Sequence, residues 1–162
     1  YLIAINAARH SIQLSASYFV PDELAIKALV AAKKRGVDVR IITPGPDIDS
    51  DIVRAASRER WGELLSAGIR MAEYQPIMYH VKALIVDAMM VSVGSTNFDN
   101  RSFSINDEAN LNVMDRDFAQ QQVEIFEADW AKSKPITLQA WENRPWTDKL
   151  HGEIASLIGS QL

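Results

Sequence analysis

The fold is decided by residues 12–74, which read IQLSASYFVPDELAIKALVAAKKRGVDVRIITPGPDIDSDIVRAASRERWGELLSAGIRMAEY. Three β-rich runs alternate here with two helical patterns, and each helical pattern ends at a glycine. Parallel neighbouring strands need a crossover of this kind, usually a helix. The order therefore predicts an α/β fold with a mixed, largely parallel sheet that helices cover on both faces. The strands are expected at 12–16, 37–42 and 69–74, and the helices at 23–35 and 50–67.

A hairpin is predicted after residue 74, with its turn at Asp87 and Ala88. An irregular stretch, one more strand and a helix broken by Pro135 follow. The tail is predicted to be helical, with an apolar stripe that favours core packing over membrane contact. The hairpin strands are expected at 81–86 and 90–93, the irregular stretch at 94–107, the last strand at 109–113, the helix at 115–132, and the tail at 136–162 with Leu150, Ile154, Leu157 and Ile158 on one face.

Length and composition limit the possible functions. The 162 residues have room for one core, so 1–162 is predicted to be a single lobe. The formal charge of −4 disfavours a nucleic-acid partner, and the absence of cysteine excludes disulfide and thiolate chemistry. Residues 1–10 have a helical pattern without a preceding cap, which suggests a cut within a helix and a longer parent chain.

The residue set that carries chemistry begins at His80. Lys82 follows at position i+2 and therefore faces the same side of an extended strand as His80. An imidazole beside an ammonium suits a phosphodiester, because lysine neutralises the non-bridging oxygens while histidine attacks phosphorus or transfers a proton. These two residues are the predicted catalytic pair.

The predicted hairpin returns a second group of residues to this strand. Gly94 is expected to support the loop and to leave room for a phosphate, and Ser95 and Asn97 can donate hydrogen bonds to that phosphate. Glu108 is expected to hold the second ring nitrogen of a histidine and fix its tautomer. The chemistry needs no metal or cofactor, and none is predicted.

The spacing His80-x-Lys82-x4-Asp87-x6-Gly94-Ser95-x-Asn97 resembles the signature of the phospholipase D superfamily. Further stretches resemble the second half of bacterial cardiolipin synthases, so the likeness covers nearly the whole chain. By this resemblance His80, Lys82, Ser95 and Asn97 contact phosphate, Glu108 supports a histidine, and Asp87 is structural. Ala88 departs from the family pattern, in which glycine often follows the aspartate. The further stretches are Tyr18–Asp22, Ile48–Ser50, Glu73–Pro76 and Phe98–Phe103.

The resemblance implies an enzyme whose two signatures meet in one active site, whereas this chain carries one. A second phospholipase-D-like lobe, in cis or as a homodimer, is therefore the expected partner. The implied activity is a phosphatidyl transfer between phospholipids, with phosphatidylglycerol as substrate and a phosphohistidine intermediate. His80 then corresponds to the general acid. The implied location is the bacterial cell membrane, held peripherally or through segments outside this sequence.

Three other functions remain open at this stage. Water as the acceptor would make the enzyme a phospholipase D. A homodimer could act as a phosphodiesterase or nuclease, and an isolated lobe could be inactive. Arg101 has two interpretations as well: it can contact an anionic headgroup, or hold its loop by pairing with Asp99, Asp107 or Glu108. The loop-holding role is the expectation for Arg101.

Overall fold

The structure, a computed structural model, describes residues 1–159. Within the tail helix, the side chains of Ile154, Leu157 and Ile158 lie outside the described part, so the predicted apolar stripe is not tested. The helices are α1 Leu2–Ala7, α2 Glu23–Lys34, α3 Asp51–Glu59, α4 Trp61–Ser66, α5 Asn100–Ser104, α6 Arg116–Trp130, α7 Leu138–Glu142 and α8 Trp146–Gly159. The strands are β1 Ser11–Ala16, β2 Phe19–Val20, β3 Asp38–Pro44, β4 Arg70–Tyr74, β5 Lys82–Val86, β6 Met90–Gly94, β7 Phe98–Asp99, β8 Asn110–Met114 and β9 Ser133–Ile136.

Seven strands form one sheet in the order β8-β6-β5-β1-β3-β4-β9. The central pairs β1–β3 and β3–β4 are parallel, as the helical crossovers between them require. The outer pairs are antiparallel on both sides. The predicted α/β class with a mixed sheet is confirmed, and its parallel part is confined to the centre. The short strands β2 and β7 pair separately.

Helices cover both faces of the sheet, because successive strand residues point to opposite sides. Ile41 of β3 packs into the larger core with α1, α2 and α4, whereas the next residue, Ile42, packs into a second core. Ala119 and Phe126 place α6 over that second face. The described residues contain no helix both long and apolar enough to cross a bilayer.

The topology gathers several chain ends at one end of the sheet. Ala16, the last residue of β1, pairs with Lys82, the first residue of β5. The parallel strands β3 and β4 also end here, at Pro44 and Tyr74. Crevices outside the carboxyl ends of parallel strands are common ligand sites in α/β folds.

The helix predicted at 50–67 is two helices. Ser50 caps α3, and the chain turns at Arg60 before α4 begins. The turn lets Trp61 point inward, where its side chain is 1% exposed and its indole donates to the Ser57 hydroxyl at 3.1 Å. The helix is therefore divided at the residue before a large aromatic side chain that enters the core.

The region after residue 94 is more regular than predicted. Residues 94–107 contain β7 and α5, and Asp99 caps α5 by accepting from the Ser102 N–H at 2.8 Å. Pro135 does not break α6, which already ends at Trp130. It lies in the edge strand β9, where a missing N–H can be tolerated.

Candidate active site

His80 and Lys82 lie side by side at the end of the sheet where β1, β3 and β4 finish. The Lys82 Nζ and His80 Nε2 atoms are 2.9 Å apart. An ammonium has only donors, so Lys82 can donate to His80 Nε2 in this arrangement. His80 is exposed and Lys82 is half-buried, so both can reach a ligand from solvent.

Asn97 is tied to the histidine strand by Ser17, the residue that follows β1. The Ser17 N–H donates to the Val81 carbonyl at 2.9 Å, and the Ser17 hydroxyl donates to Asn97 Oδ1 at 2.9 Å. The Asn97 carbonyl oxygen is thereby occupied, which leaves its NH₂ group as the end that can donate to a ligand. Ser17 is 1% exposed and therefore acts from beneath the site.

Gly94 is required by close packing between β6 and β8. A Cβ atom at this position would lie 2.1 Å from the Ala109 carbonyl oxygen and 2.2 Å from Asn110 Oδ1. Continuing the β5–β6 register by one pair sets Gly94 beside Lys82. The loop that carries Ser95 and Asn97 therefore begins next to Lys82.

Glu108 holds this loop through hydroxyl groups. Its carboxylate accepts hydrogen bonds from Ser95, from Ser102 at 2.9 Å and from the Asn106 amide at 3.3 Å. Among residues 1–159 these donors, and not His80, bind Glu108, so the expected histidine contact is not formed within this chain. Ser95 in turn accepts from the Ala109 N–H at 3.0 Å, so its oxygen is engaged in the loop.

Two pKa shifts describe the electrostatics of the site. Partial burial lowers the pKa of Lys82, although the nearby carboxylates of Glu108, Asp49 and Asp99 oppose that shift. Hydrogen bonds from Ser95 and then Ser102 lower the pKa of Glu108, which keeps it ionised. The lysine is therefore poised to gain from a bound anion, which would compensate its lost hydration.

Tyr18 and Asp49 form one wall of the site, and sequence reasoning did not include them among the site residues. The Tyr18 hydroxyl donates to Asp49 Oδ2 at 2.7 Å, and burial, followed by this contact, raises the pKa of Tyr18 to about 12. The Tyr18 ring meets the His80 ring edge-on, with centroids 6.3 Å apart. Both Tyr18 and Ser17 come directly after β1. A position just beyond the carboxyl end of a parallel strand is typical of ligand-binding residues and could have identified them from the sequence.

Asp87 lies away from His80 and Lys82, at the opposite end of β5. Its Oδ1 accepts from the backbone N–H groups of His10 at 2.7 Å and Ser11 at 2.8 Å, and its Oδ2 accepts from Arg9 at 2.9 Å. Partial burial opposes ionisation, but these bonds together lower the pKa of Asp87. The carboxylate joins the hairpin turn to the segment that leads into β1.

Arg101 is exposed on α5, just after the Asn97 loop. It was expected to pair with Asp99, Asp107 or Glu108, but none of these three carboxylates lies within 4.0 Å of its guanidinium. The expectation is wrong because Asp99 and Glu108 are instead directed to the backbone N–H and hydroxyl groups of their own loop. The His, Asp and Glu side chains of the described residues form no group of three that could hold a metal ion.

Comparison with known proteins agrees with the signature. Residues 1–130 match the family described as cardiolipin synthase, phospholipase-D-like domain. Cardiolipin synthase A of Pseudomonas putida strain KT2440 is 39% identical over 158 residues, which are 98% of this chain and 33% of that protein. The chain therefore spans about a third of the length of the curated relatives it matches.

Solved structures agree with the fold. The phospholipase D family member Nuc from Salmonella typhimurium superposes with a TM-score of 0.73 at 30% identity, covering 84% of this chain and 88% of that one. Phosphatidylserine synthase from Haemophilus influenzae superposes with a TM-score of 0.78 over 99% of this chain and 43% of that one. At 13% sequence identity, this similarity supports a shared fold and no more. The chain belongs to the phospholipase-D-like domain family of the cardiolipin synthases.

Proposed function

We propose that this lobe supplies one half of a phosphatidyltransferase site that exchanges phospholipid headgroups. The donor is a phosphatidylglycerol, and the acceptor is the terminal hydroxyl of a second one. The observation that carries the proposal is the 2.9 Å contact between His80 and Lys82, beside a loop whose Asn97 NH₂ group is free to donate. Family membership and the similarity to cardiolipin synthases support the same activity.

A phosphate entering the site would reorganise the catalytic pair. The Lys82 ammonium now donates to His80, and it would move to a non-bridging phosphate oxygen, where the charge is larger. That shift releases His80 Nε2 for proton transfer. Asn97, held by Ser17, would donate to the same phosphate, so that fixed donors meet the charge that develops on phosphorus.

The proposed reaction has two steps. In the first, a histidine of the second lobe attacks phosphorus, the bond from phosphorus to the glycerol oxygen breaks, and protonated His80 gives its proton to that oxygen. In the second, His80 takes the proton of the acceptor hydroxyl, whose oxygen attacks phosphorus while the phosphorus–nitrogen bond breaks. The headgroup glycerol of the donor is released, and the headgroup glycerol of the acceptor then carries two phosphatidyl units.

The second lobe is required because a two-step transfer needs a nucleophile besides the acid and base. The relatives, about three times as long as this chain, have room for it in cis. Glu108, with a carboxylate on the exposed side of the loop, is the group we propose to hold the second lobe's histidine. A homodimer would supply the same groups in trans.

The substrate places the working site at a membrane surface. Three exposed isoleucines flank the end of the sheet that carries His80: Ile52 is 55% exposed, Ile77 65% and Ile105 67%. Their segments follow β3, β4 and α5 in turn. Apolar side chains around a catalytic opening can insert into the boundary of a bilayer, and this supports peripheral contact with the bacterial cell membrane.

The experiment is phosphatidylglycerol turnover by the complete two-lobe protein in vesicles. We expect His80→Ala to lower cardiolipin formation by about 10²- to 10⁴-fold, the range of general acid–base catalysis. His10→Ala is the matched control, because His10 is exposed at the far end of β1. If His80→Ala turned over lipid at the rate of His10→Ala, the proposed role of His80 would be wrong.

A second candidate is a homodimeric phosphodiesterase or nuclease. It is favoured by one observation, that the chain covers 88% of the Nuc structure, so a single lobe of this size exists as a complete solved chain. The net charge of −4 argues against a nucleic-acid substrate. Retardation of DNA by the isolated lobe at low salt would support this candidate, and unaltered migration would remove it.

A further inference from the structure

A cleft of about 260 Å³ opens beside Asn97, and the catalytic steps proposed above do not use it. Two valines form its apolar part. The polar part is lined by Tyr18, Asn97, Asp99, Arg101 and Asn106. Since Asn97 is a proposed phosphate contact, a molecule in this cleft would lie next to the reacting phosphate.

Arg101 forms no ion pair within 4.0 Å with the carboxylates that the structure describes, although its charge lies close enough to Asp99 to favour ionisation of that group. It is also exposed and carried by α5, whose start is fixed by the Asp99 cap. The arginines that form ion pairs with carboxylates are Arg40, Arg54, Arg70 and Arg144.

Three carboxylates near the cleft, Asp99, Asp49 and Glu108, are already engaged in hydrogen bonds. Asp99 accepts from the backbone N–H of Ser102 at 2.8 Å, and Asp49 accepts from the Tyr18 hydroxyl at 2.7 Å. Glu108 accepts from two serine hydroxyls. Because these carboxylates already accept other hydrogen bonds, the planar N–H groups of the Arg101 guanidinium can donate to an external anion. Two parallel N–H groups of a guanidinium match two oxygens of a phosphate diester.

We propose that Arg101 binds the phosphodiester of the acceptor lipid in this cleft, next to the donor phosphate at His80 and Lys82. The inference rests on the proposed function, because transfer between two phosphatidylglycerols brings two phosphates to one site. The acceptor's reactive hydroxyl and its phosphate are separated by a single glycerol, so the second phosphate must bind close to the first. The cleft beside Asn97 provides that second position.

The test compares two acceptors in the complete protein. Phosphatidylglycerol carries a phosphate, whereas labelled glycerol, which exchanges with the donor headgroup, does not. We expect Arg101→Gln to lower cardiolipin formation about 10- to 100-fold more than it lowers glycerol exchange, the factor that one charge-assisted contact supplies. Arg101→Lys should recover part of the difference, because it keeps the charge and loses the fork.

The control is Arg116→Gln, which removes an exposed arginine at the opposite end of β8 and should keep the wild-type ratio of the two reactions. Equal losses of both reactions in Arg101→Gln, or no loss in either, would overturn the assignment of Arg101 to the acceptor. Failure of the proposed function gives a different result: wild-type protein forming neither product, or His80→Ala forming both.

Discussion

Asp87 offers the most quantitative prediction, because its contacts can be counted atom by atom. Oδ1 accepts two backbone N–H groups and Oδ2 accepts one, all between 2.7 and 2.9 Å. Each such bond at a partly exposed site contributes about 1 kcal/mol. Asp87→Ala removes all three and should lower the free energy of unfolding by about 3 kcal/mol. Asp87→Asn keeps one carbonyl oxygen and should cost about 1 to 1.5 kcal/mol.

Urea unfolding followed by circular dichroism measures these values. For a slope of about 2 kcal/mol per molar, Asp87→Ala should move the midpoint down by about 1.5 M. Asp47→Asn is the control, since Asp47 is exposed and has no side-chain hydrogen bond among residues 1–159. If Asp87→Ala unfolded at the midpoint of that control, the carboxylate would not be the link between the hairpin turn and β1.

The pH dependence of the same variants gives an independent check. Backbone hydrogen bonds lower the pKa of Asp87 below its ordinary value of 3.8 in the folded state, although partial burial opposes them. The stabilisation is therefore complete above that ordinary value and is lost as pH falls through the lower folded value. The difference in stability between wild type and Asp87→Asn should shrink under acid, and a gap that widened instead would contradict the sign.

Three other substitutions test other parts of the structure. Ala88 has φ +48°, so Ala88→Gly should raise the free energy of unfolding by about 0.5 to 1 kcal/mol; a lower urea midpoint would refute this. Ser17→Ala frees Asn97 and should lower transfer about 10-fold while lowering the melting temperature by only a few degrees, whereas full activity would exclude Ser17 as a positioning residue. Burial lowers the pKa of Lys82, so activity should fall on the alkaline side of the pH profile as Lys82 loses its charge. Lys82→Arg should move that loss of activity to higher pH; an unchanged profile would mean that another group titrates.

The contact between His80 and Lys82 and the position of the hairpin were predictable because both depend on local sequence. Two residues at i and i+2 of an extended segment share a side, whatever the rest of the chain does. The structure sets Lys82 Nζ beside His80 Nε2, and the β5–β6 register sets Gly94 beside Lys82. The structure adds a second reason for the small size of Gly94, its close approach to the β8 backbone.

The contacts that were missed depend on residues distant in sequence. Ser17 lies 80 positions from Asn97, and no local pattern announces that hydrogen bond. The break at Arg60 coincides with the burial of Trp61, and β9 pairs with the outer edge of β4. Periodicity reports which side of an element is apolar, but it does not report which other element will cover that side.

The central claim, that one phosphate touches the imidazole, the ammonium and the amide together, is tested most directly by a crystal structure with orthovanadate bound. The account predicts vanadate oxygens within about 3.2 Å of His80 Nε2, Lys82 Nζ and Asn97 Nδ2 at once. A well-ordered vanadate that contacts one of these groups alone, or that lies outside the end of the sheet where they meet, would contradict it.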